Sequence, residues 1–236
     1  MGAAEGVETY QDAFERIEAA VDAGRTDLGS LGFWRLLSSI KAEPSLARHW
    51  AEVAGRIDRK AFEARVRVRV PVWLGNAALV GATLAGGLAV RLAFDSTSET
   101  IAGLALLVAG GVWSASVHDL AHWAVGRVVG IRFIVYFPGG PLPLQPGLKI
   151  DYATYLRAEA TARVFMHASG AIASKLAPFA ALAFWPASGA PAWAAWGLVA
   201  MGAFEIVTDL VFSVRRSDWK RVRRESRIAR RQAAER

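Results

Sequence analysis

Residues 101–122, IAGLALLVAGGVWSASVHDLAH, run from Ile101 to Val117 without a charge and then meet His118, Asp119 and His122. An uncharged apolar run of this kind, at about 20 residues and 1.5 Å per residue, is what a helix needs to cross the hydrocarbon core of a bilayer. Three further blocks have the same character: Val70 to Val90, Val164 to Phe184 broken by Lys175, and Ala190 to Val214 broken by Glu205 and Asp209. The expectation is an all-α integral membrane protein with four spans, at about 70–94, 101–126, 160–184 and 190–214. Residues 1–69 form a helical N-terminal region and 215–236 a basic tail.

Composition agrees, since 53% of the 236 residues are hydrophobic and they fall in blocks instead of at core periodicity. Cysteine is absent, which excludes a disulfide framework, thiolate ligands and a cysteine nucleophile. The N-terminus, MGAAEGVETYQDAFERIEAA, is acidic where a signal peptide is basic and then apolar, so the region before the first span is expected in the cytoplasm.

The net charge of +7 has a definite address. Residues 1–70 hold 11 basic and 11 acidic side chains, whereas Arg215–Arg236 holds 10 basic and 3 acidic, a surplus of 7. A basic run directly after an apolar span marks a cytoplasmic flank facing anionic headgroups, and without interleaved aromatics it argues against a nucleic-acid partner. The link from Arg127 to Arg163 is also basic, with five cations and two acids, while FDSTSET and WPASGAPAW between the other spans carry no cation. By the positive-inside rule both termini and the central link lie in the cytoplasm.

Within the N-terminal region Phe14, Ile17 and Val21 recur at helical spacing, LGFWRLLSSI forms a second helix before Pro44, and Leu46, Trp50, Val53 and Ile57 stripe a longer one. These helices are expected to pack as a cap on the membrane surface, with His49 structural. Arg65, Arg67 and Arg69 alternate as in a strand, but their place before Val70 and Pro71 suits side chains snorkelling to the interface. FPGGPLPLQPG, rich in Gly and Pro, reads as a loop or an edge strand.

On a helix, positions i and i+4 share a face, so His118 and His122 direct both rings at one point. That is the two-histidine geometry of the HExxH zinc helix, with Asp119 in the place of its glutamate. Ionisable groups inside a membrane are costly unless partnered, and a metal partners both rings at once. At 1.5 Å per residue, His118 and His122 lie roughly 13 and 8 Å inside Arg127 and Asp209 roughly 9 Å inside Arg215, which makes Asp209 the expected third ligand. His167, roughly 6 Å inside Arg163, is expected to lie near Asp209, either hydrogen-bonded within the bundle, or orienting the site or standing in as a substitute ligand. Lys175 and Glu205 are expected to pair, and Glu205, one turn before Asp209, is a second candidate for the base.

From Ile101 to Arg215 the chain resembles the site-2 protease family, the intramembrane zinc metalloproteases. HDLAHWAVGRVVGIRFIVYFPGGPLP follows the family's order of metal helix, Gly-Ile/Val-Arg turn and extended Gly- and Pro-containing segment. HASGAIASKLAP resembles its small-residue helix start, and EIVTDLVFS occupies the place of its last-span aspartate motif. The resemblance implies Zn2+ on His118, His122 and Asp209, and Asp119 as the catalytic acid and base for hydrolysis of a transmembrane protein substrate. It also implies that the Gly- and Pro-containing segment pairs with an unfolded substrate by strand addition. The chain departs from the family at Asp119, one methylene shorter than glutamate, at Ala171, where proline is common, and in the last-span motif. These departures leave a second expectation, a non-catalytic homologue that binds metal or membrane partners.

Overall fold

A computed structural model describes residues 2–139, 146–211 and 217–234. In chain order the elements are α1 (Gly2–Asp22), α2 (Phe33–Ile40), α3 (Pro44–His49), α4 (Ala51–Arg65), β1 (Val70–Pro71), α5 (Val72–Asp95) and α6 (Glu99–Val128). There follow β2 (Phe133–Pro138), β3 (Pro146–Ile150), α7 (Tyr152–Arg157), α8 (Ala160–Leu182), α9 (Ala192–Val211) and α10 (Asp218–Ala234). The chain is mostly helical, but not entirely so: β1, β2 and β3 form one antiparallel sheet in that order.

Two compact units divide the chain, and neither is continuous in sequence. The first takes residues 1–72, 127–163 and 225–236; the second takes 73–126 and 164–224. The sequence boundaries near 69 and 214 separated an N-terminal region from the spans. They did not foresee that the central link and the end of the tail belong with that region.

In the first unit the apolar stripe of α1 packs on α2 and α4, and Phe14, Phe33, Leu37, Ile40 and Ile57 are almost fully buried. The expected long helix from Ser45 breaks at Trp50, where φ −90° and ψ 3° leave the helical region, giving α3 and α4. Helix α7 lies close on α4 because Gly55 has no side chain: a Cβ there would stand 2.8 Å from the backbone nitrogen of Ala153. In the sheet Val70 faces Tyr136 and Phe133 faces Ile150, with an irregularity between Phe133 and Tyr136. The Arg65–Arg69 alternation thus leads into a short strand. FPGGPLPLQPG begins in β2 and ends in β3, and its residues 140–145 lie outside the described ones.

A charged group is buried in the same unit. Glu225, wholly inaccessible, pairs with Lys41 and accepts from Arg163 Nε at 2.8 Å, while Arg163 Nη1 donates to the Ala158 carbonyl at 3.0 Å. Both cations lie over the Tyr155 ring, at 5.3 and 5.5 Å.

Three stretches, each mostly in the second unit, are long and apolar enough to cross a membrane: Val72–Asp95, Glu99–Val128 and Ala160–Ala187, the last being α8 with a short 3-10 turn. At 1.5 Å per residue α5 and α6 extend about 36 and 45 Å, more than the roughly 30 Å of hydrocarbon. Their outward residues are apolar, with Leu84, Leu88 and Trp73 more than 60% exposed, an arrangement suited to lipid. The expected fourth span corresponds to α9, which has 20 residues and is not among the three. Between helices the contacts are small. Ala102, Ala105, Leu106 and Ala109 of α6 pack with Ala181 and Leu198, and Trp113 Nε1 donates to the Thr83 carbonyl at 2.9 Å over the bare Cα of Gly86.

Candidate metal centre

The site lies within the second unit and draws on α6, α8 and the first turn of α10. Helix α6 carries His118 and His122 on one face, with ring centroids 4.7 Å apart and planes perpendicular. Each ring is oriented through Nδ1. His122 Nδ1 is 2.6 Å from the Met166 carbonyl oxygen, which can only accept, so this nitrogen carries the hydrogen and Nε2 is left with its lone pair. His118 Nδ1 is 3.4 Å from Ser174 Oγ, whose own hydrogen is directed to the Gly170 carbonyl at 3.1 Å. The serine thus accepts, and His118 also presents Nε2.

Both Nε2 atoms converge on one oxygen. Asp218 Oδ2 is 3.4 Å from His118 Nε2 and 3.3 Å from His122 Nε2. Among the described residues these three form a group with ligand atoms within 4.8 Å of one another, a spacing that can hold a metal ion. The other carboxylate oxygen, Oδ1, faces His167 Nδ1 at 3.8 Å and accepts from Arg221 Nη1 at 3.4 Å. The Asp218 carboxyl lies well below the usual carboxylate range; burial opposes this, and the surrounding His118, His122 and His167 rings, in their protonated form, outweigh it.

Helix α8 reaches this centre closely because of Gly170. A Cβ at that position would collide with His122 Nε2 and stand 2.7 Å from the His118 carbonyl oxygen. His122, Asp119 and His167 are all buried, and the charge of Asp119 acts on His118, His122 and Asp218.

The third member therefore differs from expectation. Asp209 is not with the histidines: its carboxylate pairs with Lys175, whose ammonium also donates to the Ala171 carbonyl at 3.1 Å. Lys175 was expected to pair with Glu205; its salt bridge is with Asp209, and Glu205 hydrogen-bonds with Ser114 while the Lys175 charge still acts on it. Depth counting put Asp209 level with the histidines, but level is not direction, and α9 turns Asp209 to the lysine on α8. His167 does stand beside the site, on Asp218 and not on Asp209. Asp218 had been counted only among the charges of a basic tail. Its signal was an acid, flanked by Ser217 and Trp219, at the head of a mainly cationic amphipathic helix. An acid at that position also suits the helix dipole.

No protein-family model, no curated protein and no solved structure matches this chain. The chemistry of the centre rests on its own residues.

Proposed function

We propose that the His118, His122 and Asp218 centre binds zinc and that the protein is an intramembrane zinc endopeptidase of site-2 protease type, cleaving membrane-spanning substrates. The observation that carries this reading is the convergence of two Nε2 atoms and one carboxylate oxygen on a common point, with both Nδ1 atoms already engaged. Two nitrogens and one oxygen suit zinc, and three protein ligands leave a fourth position for water or substrate, as in catalytic rather than structural zinc sites. When bound, the ion supplies Lewis acidity and an acidified water. Asp119, next to the first candidate ligand and buried, would be the carboxylate that accepts a proton and returns it to the leaving amine.

Placement in a bilayer supports the same reading. Three apolar stretches with lipid-suited faces flank the site, α9 serves as a fourth span with exposed Trp193 and Trp196 at one end, and the basic face of α10 rests on anionic headgroups with both termini cytoplasmic. Strand β3 pairs on one side only among the described residues, and its open edge suits strand addition by an unfolded substrate segment.

A second reading rests on Asp119. Its side chain is one methylene short of glutamate, and a misplacement of about 1 Å in a catalytic group costs on the order of a hundredfold. The chain is then a non-catalytic homologue that keeps the metal. Metal content by mass spectrometry and cleavage of a model transmembrane substrate separate the two. Zinc lost in His118→Ala and Asp218→Ala, with cleavage lost in Asp119→Ala, supports the peptidase. Zinc retained in wild type with no Asp119-dependent cleavage removes it.

A further inference from the structure

The two oxygens of Asp218 have different company. Among the described residues Oδ2 faces the candidate ligand histidines, at 3.3 and 3.4 Å, whereas Oδ1 has Arg221 Nη1 at 3.4 Å and His167 Nδ1 at 3.8 Å. The difference matters because a carboxylate can bind a metal through one oxygen or both. With two histidines, a single oxygen makes three protein bonds and leaves the fourth tetrahedral position open; both oxygens fill that position.

Arg221 and His167 approach Oδ1 from different elements. Arg221 sits one turn after Asp218 on α10, so its guanidinium folds back along the same face. His167 projects from α8, where it is 2% exposed. A charge-assisted donor on Oδ1 holds negative charge on that oxygen, occupies its lone pair and fixes the carboxylate plane. Outer partners of this kind orient ligands and tune affinity.

Resting on the zinc reading above, we infer that Arg221 and His167 are positioning residues that hold Oδ1 of Asp218 away from the metal, so that Asp218 binds through Oδ2 alone and the fourth coordination position stays open. Neither residue touches the metal. Removing them frees Oδ1 to swing onto the ion, which closes the position that a hydrolytic site needs.

Cobalt(II) tests this, because it takes zinc sites and its visible spectrum reports coordination number. The full chain in detergent micelles is titrated with Co2+ as wild type, Arg221→Gln, His167→Asn and the double variant, with apo-protein melting as the check on folding. Wild type is expected to bind one ion with the strong absorption of a four-coordinate centre. The double variant is expected to bind 10- to 100-fold more weakly, with weaker absorption as Oδ1 enters, and Arg221→Lys is expected to restore part of the difference. A wild-type spectrum and affinity in the double variant overturn the inference and leave the metal reading standing. Loss of one nitrogen ligand in His167→Asn, read by X-ray absorption, also overturns it, by making His167 a ligand. Wild type that binds neither Co2+ nor Zn2+ overturns the metal reading itself.

Discussion

Gly170→Ala adds one methyl group at the closest approach of α8 to the metal helix. The new Cβ would stand 2.7 Å from the His118 carbonyl oxygen, against about 3.4 Å for ordinary contact, so the helices must part by about 0.7 Å, the difference of the two. Backbone cannot yield as a side chain can. The methyl also collides with the Nε2 edge of His122, and a ring that swings aside gives up its 2.6 Å bond to the Met166 carbonyl. That bond contributes about 1 kcal/mol, overpacking a tight interface costs about 1–3 kcal/mol, and the gain from replacing a helical glycine by alanine offsets at most about 1 kcal/mol. A net destabilisation of about 1–3 kcal/mol is expected, and on the proposed zinc reading affinity falls at least tenfold, since Nε2 is the proposed ligand atom. Gly111→Ala is the control: it lies on α6 with nothing within 4 Å of its Cβ, and it should be neutral or slightly stabilising. The measurements are thermal unfolding of the apo protein and competitive zinc titration in detergent. Wild-type zinc affinity in Gly170→Ala would refute the close packing of α8 on the metal helix.

Asp218→Asn should abolish high-affinity zinc binding, whereas Asp209→Asn should leave zinc content unchanged and lower stability by exposing Lys175 to an uncompensated site; equal loss in both returns Asp209 to the ligand set. Glu225→Gln removes the anion between two buried cations, Lys41 and Arg163, and should cost about 3–5 kcal/mol in chemical unfolding, as breaking a buried pair does. Glu18, hydrogen-bonded by Arg56 against a smaller opposing effect of burial and aided by Lys60, is held down at about 2, from an ordinary 4.5. Its folded pKa is the lower one, so its contribution is full above about pH 4.5 and fades as pH falls towards 2. The stability difference between wild type and Glu18→Gln, followed by tryptophan fluorescence, should therefore shrink from pH 6 to pH 2.5; a constant difference counts against the pairing.

Much of the site could be read before any fold was known, because its first two ligands are local. His118 and His122 share a helix face by the 3.6-residue repeat alone, and an apolar run needs no partner to declare a span. The buried stripe of α1, Phe14, Ile17 and Val21, was legible for the same reason. Sheet pairing was not, since β1 meets β2 only across the whole of α5 and α6, and nothing in RVRVRV or FIVYFP names the other.

What the sequence alone determined is the content of each helix: which runs are apolar enough for a bilayer, and which turn of α6 carries two imidazoles and a carboxylate. The tertiary structure decided which acid meets those imidazoles. Asp209 and Asp218 are both carboxylates near the end of the last apolar block; residue type does not distinguish them, and depth favours Asp209, inside Arg215, over Asp218, outside it. The difference lies in azimuth and in competition. Lys175 on α8 takes Asp209, while α10 turns Asp218 toward two Nε2 atoms already aimed by Met166 and Ser174. A third ligand from another helix is set by packing, and packing depends on contacts such as Gly170 against His122 that no single segment contains.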